Sequence, residues 1–205
     1  GDGSDEIYGQ GGDDTITVSG KTGVFADVIN GGTGSDSLII AYSGITKMSD
    51  FTVSQVSREE SAYWVFTDQN GGTISFKNIL DYTYTSGAAG YWDGSITVND
   101  KVYTFVSDMR SERYPFSGAY GSVQAFVYQS GSKVDVALPD SGHWMPQYRM
   151  GGYKGYNLSG NETFTITGSS DSEIIFGGYQ ADSIISGDGG DFIFGGDGVA
   201  VINAG

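Results

Sequence analysis

Gly31-Gly32-Thr33-Gly34-Ser35-Asp36-Ser37-Leu38-Ile39 is a nine-residue unit with a turn half and a strand half. Gly31, Gly32 and Gly34 admit the positive-φ backbone of a tight turn. Asp36 closes that turn with a carboxylate, and Leu38 lies two residues further on, on the same face of a very short strand. The unit recurs. Near the start of the chain Gly3 falls on Gly12, Asp5 on Asp14 and Ile7 on Ile16, each at a step of nine. At the other end Ile166, Ile175, Ile184, Ile193 and Ile202 keep the same step without a break, as do Gly178, Gly187, Gly196 and Gly205. A flexible Gly/Asp linker has no reason to carry an aliphatic residue at every ninth position.

A fixed Gly-Gly-x-Gly-x-Asp-x-aliphatic-x period predicts a parallel β-roll that binds calcium. Ca²⁺ is a hard ion taking six to eight oxygen ligands, which turn carbonyls and carboxylates supply. Two units make one coil, so turns on the same side lie two units apart. The carboxylates expected to share an ion are Asp5 with Asp27 and Asp14 with Asp36. At the other end the pairs are Glu173 with Asp191, and Asp182 with the turn around Gly198. The register has defects. Ile16 and Ile29 are thirteen apart, which predicts a bulge of four residues near 19–22. Phe25 replaces a turn glycine, and Ala200 stands where the last Asp belongs.

Charge is segregated in the same way. Asp numbers 19 against 6 Glu, the bias of turns and calcium loops. Residues 1–40 carry seven acids and one base, and residues 165–205 carry six acids and none. The centre is nearly balanced, with twelve acids and nine bases out of a total net charge of −15. Without a cation the ends should repel themselves and unfold, because binding to a site absent from the unfolded chain is folding free energy. Such acidity also argues against nucleic acid as a partner.

Between about Gly44 and Gly160 the period changes from nine to two. Phe51–Val56, Ala62–Phe66, Thr73–Phe76, Ser95–Val98, Lys101–Val106, Ser122–Tyr128 and Lys133–Leu138 read as strands. Asp68–Gly72, Asn99-Asp100 and Gln129–Ser132 read as hairpin turns. No amphipathic helix of three turns is visible. The expected fold is all-β: calcium-binding parallel β-roll units at 1–43 and 161–205, flanking a β-sandwich-like domain at 44–160. The two repeat blocks are expected to pack together, since repeat stacks generally need three or more units.

Three stretches of the centre, 86–95, 107–121 and 139–157, do not read as strands. The last is nineteen residues long and carries His143, Trp144, Tyr148, Arg149, Tyr153 and Tyr156. Long loops are usually functional, and Tyr, Trp and Arg dominate binding hot spots. The alternative is that the rings pack as a lid. The expected ligand contacts are Tyr91, Trp92, Trp144, Tyr148, Arg149 and Tyr153, with Asp93 or Asp140 as ligands of a site calcium. Arg149 suits a bidentate grip on a carboxylate.

Catalysis is weakly supported. The single histidine, His143, rules out an HExxH helix or a multi-His centre, and no G-x-S-x-G elbow is present. Paired carboxylates for glycoside hydrolysis stay open at this level, because spatial neighbours are invisible. No cysteine occurs, so disulfides and thiol chemistry are absent. There is no signal peptide and no apolar run able to span a membrane, so direct membrane insertion is not expected. The chain opens inside a repeat, which predicts a longer parent protein, and the module is expected to be monomeric within it.

Residues 1–39 and 168–198 resemble the RTX (repeats-in-toxin) family. The resemblance implies calcium as cofactor, type I secretion from Gram-negative bacteria, and folding outside the cell on meeting calcium. A central β domain enclosed by such units looks like a ligand-binding module of a large RTX adhesin. That implies calcium-dependent recognition of peptide termini or glycans on a target cell, at the bacterial surface or in the secreted state. The competing reading is a calcium-stiffened spacer or secretion region with no ligand of its own.

Overall fold

The computed structural model describes residues 1–58, 61–83, 91–93, 95–106, 125–131, 133–138, 147–150, 163–170, 173–176, 180–195, 198 and 200–205. They fall into two compact units, Gly1–Phe105 and Val106–Gly205. Apart from a 3₁₀ turn at Met48–Asp50, the regular structure of the described residues is all strand. No helix among them is long and apolar enough to cross a membrane.

The strands of the first unit are β1 (Glu6–Tyr8), β2 (Thr15–Ser19), β3 (Ala26–Asn30), β4 (Ser37–Ala41), β5 (Phe51–Arg58), β6 (Ser61–Asp68), β7 (Thr73–Lys77), β8 (Asp81–Thr83), β9 (Tyr91–Asp93), β10 (Ser95–Val98) and β11 (Lys101–Val106). The four repeat strands alternate between two sheets. β1 pairs in parallel with β3, setting Ile7 against Ile29, and β2 with β4, setting Ile16 against Leu38. The coil step is therefore 22 residues. Its excess over two nine-residue units is the bulge expected near 19–22, which lengthens the turn between β2 and β3. Gly32 shows why the opposite turn keeps its glycines. Its φ is +106°, and a Cβ there would collide with the Gln10 carbonyl of the coil before it.

Both sheets then run on through the boundary expected at residue 43. β7 lies parallel beside β3, with Ile29 against Phe76, and β6 and β5 follow antiparallel, giving the order β1-β3-β7-β6-β5. β10 lies parallel beside β4, with Leu38 against Ile96, and the β10–β11 hairpin follows. The exposed edges of β3 and β4 carry backbone N–H and C=O groups that need partners, and strands from the centre supply them. Alternation along each strand sends Ile29, Leu38, Ile40, Ile74, Phe76, Ile96 and Val98 into one core, none of them exposed. The sheets meet through Trp64 and Phe105, whose rings stand 4.9 Å apart edge to face, and the 3₁₀ turn is tied to β11 by the Met48 N–H donating to the Tyr103 hydroxyl at 3.0 Å.

The second unit contains β12 (Ala125–Ser130), β13 (Lys133–Ala137), β14 (Gln147–Met150), β15 (Thr163–Thr167), β16 (Glu173–Phe176), β17 (Ser183–Ile185), β18 (Phe192–Phe194) and β19 (Val201–Asn203). The unbroken isoleucine beat again splits between two sheets. Ile166, Ile184 and Ile202 align along β15-β17-β19, and Ile175 and Ile193 along β16-β18. The step here is 18 residues, two units with no insertion. Val127, Val134, Val136, Leu138, Phe164, Ile166, Ile175 and Ile184 form the core, with Ile193 packed against it. The β12–β13 hairpin joins this stack where β13 pairs in parallel with β15.

The structure corrects the reading of two stretches as strandless. Tyr91–Asp93 forms β9, antiparallel to β8. Within 139–157, Gln147–Met150 forms β14, parallel to β16, with Tyr148 against Ile174 and Arg149 against Ile175. Strands of three or four residues are too short to display alternation, and a neighbouring edge selects them. Residues 107–121, the third such stretch, lie outside the described residues, as do Asp140, His143, Trp144, Tyr153 and Tyr156.

The stacking predicts a position-dependent cost within one isoleucine series. Ile184, fully buried, should lose about 2–5 kcal/mol on truncation to Ala. Ile202, 46% exposed on the last strand, should lose only a few tenths, as is usual at the surface. Urea unfolding in calcium buffer measures both, and equal losses would contradict the stacking order.

Candidate calcium centre

Asp27, Asp36 and Asp182 each stand at the start of a strand and face inward, two residues before a buried aliphatic. In β3, Asp27 and Ile29 are both buried, and Asp36 and Leu38 repeat the arrangement around β4. The carboxylate reaches the coil before it. Asp27 Oδ1 accepts the Asp5 N–H at 3.0 Å, and Asp36 Oδ1 accepts the Asp14 N–H at 2.9 Å. Asp182 Oδ1 accepts the Phe164 N–H at 3.0 Å in the second unit. The expected pairs Asp5–Asp27 and Asp14–Asp36 are thus brought together, one coil apart. This capping bond is the role that sequence reasoning missed; the fixed spacing of Asp from coil to coil was its signal.

At Asp14–Asp36 the second oxygens have no partner. Oδ2 of Asp14 and Oδ2 of Asp36 are buried without a hydrogen bond, and Asp36 is only 1% exposed. Each lies close over a turn glycine, Asp14 over Gly9 and Asp36 over Gly31. Two like-charged carboxylates in contact with one stack, each holding an unmatched oxygen, are strongly unfavourable unless a cation joins them. The donor set is hard oxygen, which fits Ca²⁺. Among the described residues no group of three or more acidic or histidine side chains gathers at one point. Asp14 and Asp36 would therefore hold the ion together with backbone carbonyls of turns 9–14 and 31–36. Bound there, calcium supplies charge neutralisation and locks the two turns; no chemical step is involved.

The Asp5–Asp27 pair differs. Lys21, from the lengthened turn, has its side chain 1% exposed and its Nζ between both carboxylates. It donates to Asp5 Oδ2 at 2.8 Å, to Asp27 Oδ1 at 2.8 Å and to the Gly3 carbonyl at 2.7 Å. The Phe25 ring lies beneath it, 5.0 Å to the centroid. Burial alone would lower the lysine pKa, but the hydrogen bonds and charges of Asp27 and Asp5 outweigh it and raise it. The Lys21 hydrogen bond and charge hold the Asp5 carboxyl below its usual range. Phe25, where the repeat has glycine, is buried and packs edge to face on Tyr42 at 5.6 Å.

In the second unit, pairing of Ile174 with Phe192 starts the strands of Glu173 and Asp191 side by side. The Glu173 side chain lies outside the described residues. Gly198 stacks onto the Gln180 carbonyl, two residues before the buried Asp182, and its flanking residues 196, 197 and 199 lie outside the described residues. One step beyond Asp182 the capping position is Ala200, which has no carboxylate to offer. Of the expected ligand contacts, Tyr91, Trp92, Tyr148 and Arg149 are placed on strands by their backbones, and Trp144 and Tyr153 lie outside the described residues.

Chelation should therefore destabilise the chain. Calcium about a hundredfold above Kd adds about 2.7 kcal/mol per site, so the melting temperature should rise from EDTA to millimolar calcium. Asp36→Asn should remove one ion from a calorimetric titration. Asp68 sits outside the repeats, accepting from Asn70 N–H, Gly72 N–H and the Tyr42 hydroxyl. Asp68→Asn should lower stability by about 1–3 kcal/mol and leave the ion count unchanged. An Asp36→Asn titration matching wild type would remove Asp36 from the ligand set.

Comparison with protein families finds the RTX calcium-binding nonapeptide repeat, in four copies, at residues 1–20, 22–39 and 167–202. No curated protein and no solved structure gave a match to the chain. The matched segments make up less than half of the chain and take in most of β1–β4 and β16–β19. Both ends of the chain thus carry the RTX calcium-binding nonapeptide repeat, a non-catalytic module with calcium as its cofactor that is typical of secreted and cell-surface proteins.

Proposed function

We propose that the chain is a calcium-dependent adhesion module of an RTX adhesin, secreted by the type I route and displayed at a bacterial surface. Its repeats close as parallel β-rolls on calcium, and the β-sandwich-like centre, 44–160, presents the aromatic segments to a peptide terminus or glycan on a target cell. The module works as a monomer within a longer protein. The metal set expected of the repeats is Asp5, Asp14, Asp27, Asp36, Glu173, Asp182 and Asp191, and of these Asp5 and Asp27 already share the Lys21 ammonium. The contact set is Tyr91, Trp92, Trp144, Tyr148, Arg149 and Tyr153.

One observation carries this reading. The backbone of Tyr148 and Arg149 is held in register against Ile174 and Ile175, inside a repeat strand. Calcium-driven folding of that repeat would therefore set the position of an Arg–aromatic pair, which is what a calcium-gated binding surface needs. Arg149 suits an anionic terminus through a bidentate fork, and flat rings stack on sugar faces as well as on peptide side chains. A spacer has no use for such a pair on its supporting strand.

Paired peptide and glycan arrays, run with millimolar calcium and with EDTA, test the proposal. The expected result is binding on one array that EDTA abolishes and that Arg149→Ala weakens at least tenfold, about 1.4 kcal/mol, with the melting temperature kept. Silence on both arrays, with Tyr148→Ala and Arg149→Ala changing stability alone, would leave the spacer as the function.

A further inference from the structure

We propose that Lys21 is a built-in cation: its ammonium takes the place of calcium between Asp5 and Asp27, so the first turn pair of the repeat folds without loading the metal. The two matches to the repeat family at the N-terminal end stop at residue 20 and resume at residue 22, leaving Lys21 between them. It is also the only base among the first 40 residues. The residue that breaks the pattern is the one whose side chain enters the site.

The geometry is that of a replaced ion. Nζ stands 2.8 Å from Asp5 Oδ2, 2.8 Å from Asp27 Oδ1 and 2.7 Å from the Gly3 carbonyl, using all three ammonium donors on oxygens a cation would bridge. Calcium–oxygen distances are about 2.3–2.6 Å, so an ion bound to the same three oxygens would overlap the nitrogen. A divalent ion beside the Lys21 ammonium, whose side chain is 1% exposed, would also meet like-charge repulsion. The lysine is fixed by more than charge, because Phe25 lies under it and Phe25 is itself buried against Tyr42.

The neighbouring pair is the internal contrast. Asp14 and Asp36 occupy the same positions one unit on, make the same coil-to-coil hydrogen bond, and have no lysine. There both carboxylates keep a buried oxygen without a partner, whereas at the first pair Asp5 Oδ2 is matched by Lys21 and Asp27 Oδ2 alone is left without a hydrogen bond. The lengthened turn makes the difference. Its extra residues let a long side chain leave the strand and fold back into the turn stack, which a glycine turn of standard length has no residue to do.

The replacement makes the first coil a preformed template. Its acid pair is neutralised by one residue of the same chain as soon as the turn closes, at any calcium level. The Asp14–Asp36 pair, with no lysine between its carboxylates, waits for the ion. Calcium-driven folding then starts on an edge that already exists, which lowers the nucleation cost of parallel pairing.

The test counts ions and probes the amine in the full chain. Calcium titration calorimetry on wild type and Asp27→Asn should give the same number of ions per chain. Loss of one ion in Asp27→Asn would place calcium in this pair and overturn the proposal. Acetylation of calcium-loaded wild type, read by peptide mass spectrometry, keeps the question decidable if that variant does not fold. Lys21 should react at least about tenfold more slowly than the exposed Lys133, since a buried amine is reached only through local opening. Reaction of Lys21 as fast as Lys133 would show the ammonium displaced and overturn the proposal as well.

Discussion

The bond on which the stack depends runs from a backbone N–H of one coil to an aspartate Oδ1 of the next. It recurs at Asp5–Asp27, Asp14–Asp36 and Phe164–Asp182, across coil steps of 22 and 18 residues. A strand of three to five residues has few ladder hydrogen bonds, so its ends weigh heavily in its stability. The Asp carboxylate closes one end, satisfies an N–H that the turn leaves over, and sets the phase of the inward aliphatic two residues later. Coil length can then change, as it does in the first unit, without losing register.

That bond brings carboxylates into the interior, and their charge has to be answered. Asp27, Asp36 and Asp182 are each no more than 2% exposed. The molecule answers in two ways within one stack. At Asp14–Asp36 the donors are hard oxygens with unmatched lone pairs, suited to a divalent ion from outside. At Asp5–Asp27 an ammonium from the lengthened turn meets both carboxylates. The excess negative charge of the chain ends lies in the same segments as these repeat carboxylates.

The centre is grafted onto the repeats. β7 and β10 extend the first repeat sheets, and β13 and β14 lie beside repeat strands in the second unit. Parallel neighbours along an open edge cover backbone groups that would otherwise face water or another chain. They also tie the centre's stability to whatever stabilises the repeats.

Much of this was legible from residue spacing. The nine-residue beat of Gly, Asp and Ile announced short strands in parallel stacks, calcium as cofactor and the pairing of Asp14 with Asp36, because a period records which residues share a face. The hairpins at Asp68–Gly72 and Asn99-Asp100 were equally visible, since turn chemistry is local. The reach of the repeat sheets into the centre was not, nor were the strands at Tyr91–Asp93 and Gln147–Met150. A strand of three or four residues carries no period of its own and is chosen by the edge it meets. Nor could spacing show that Lys21 fills the first acid pair. An insertion announces a bulge, but where its side chain points is decided by the coil stacked beneath it, and only the tertiary structure brings Gly3, Asp5 and Asp27 around one nitrogen.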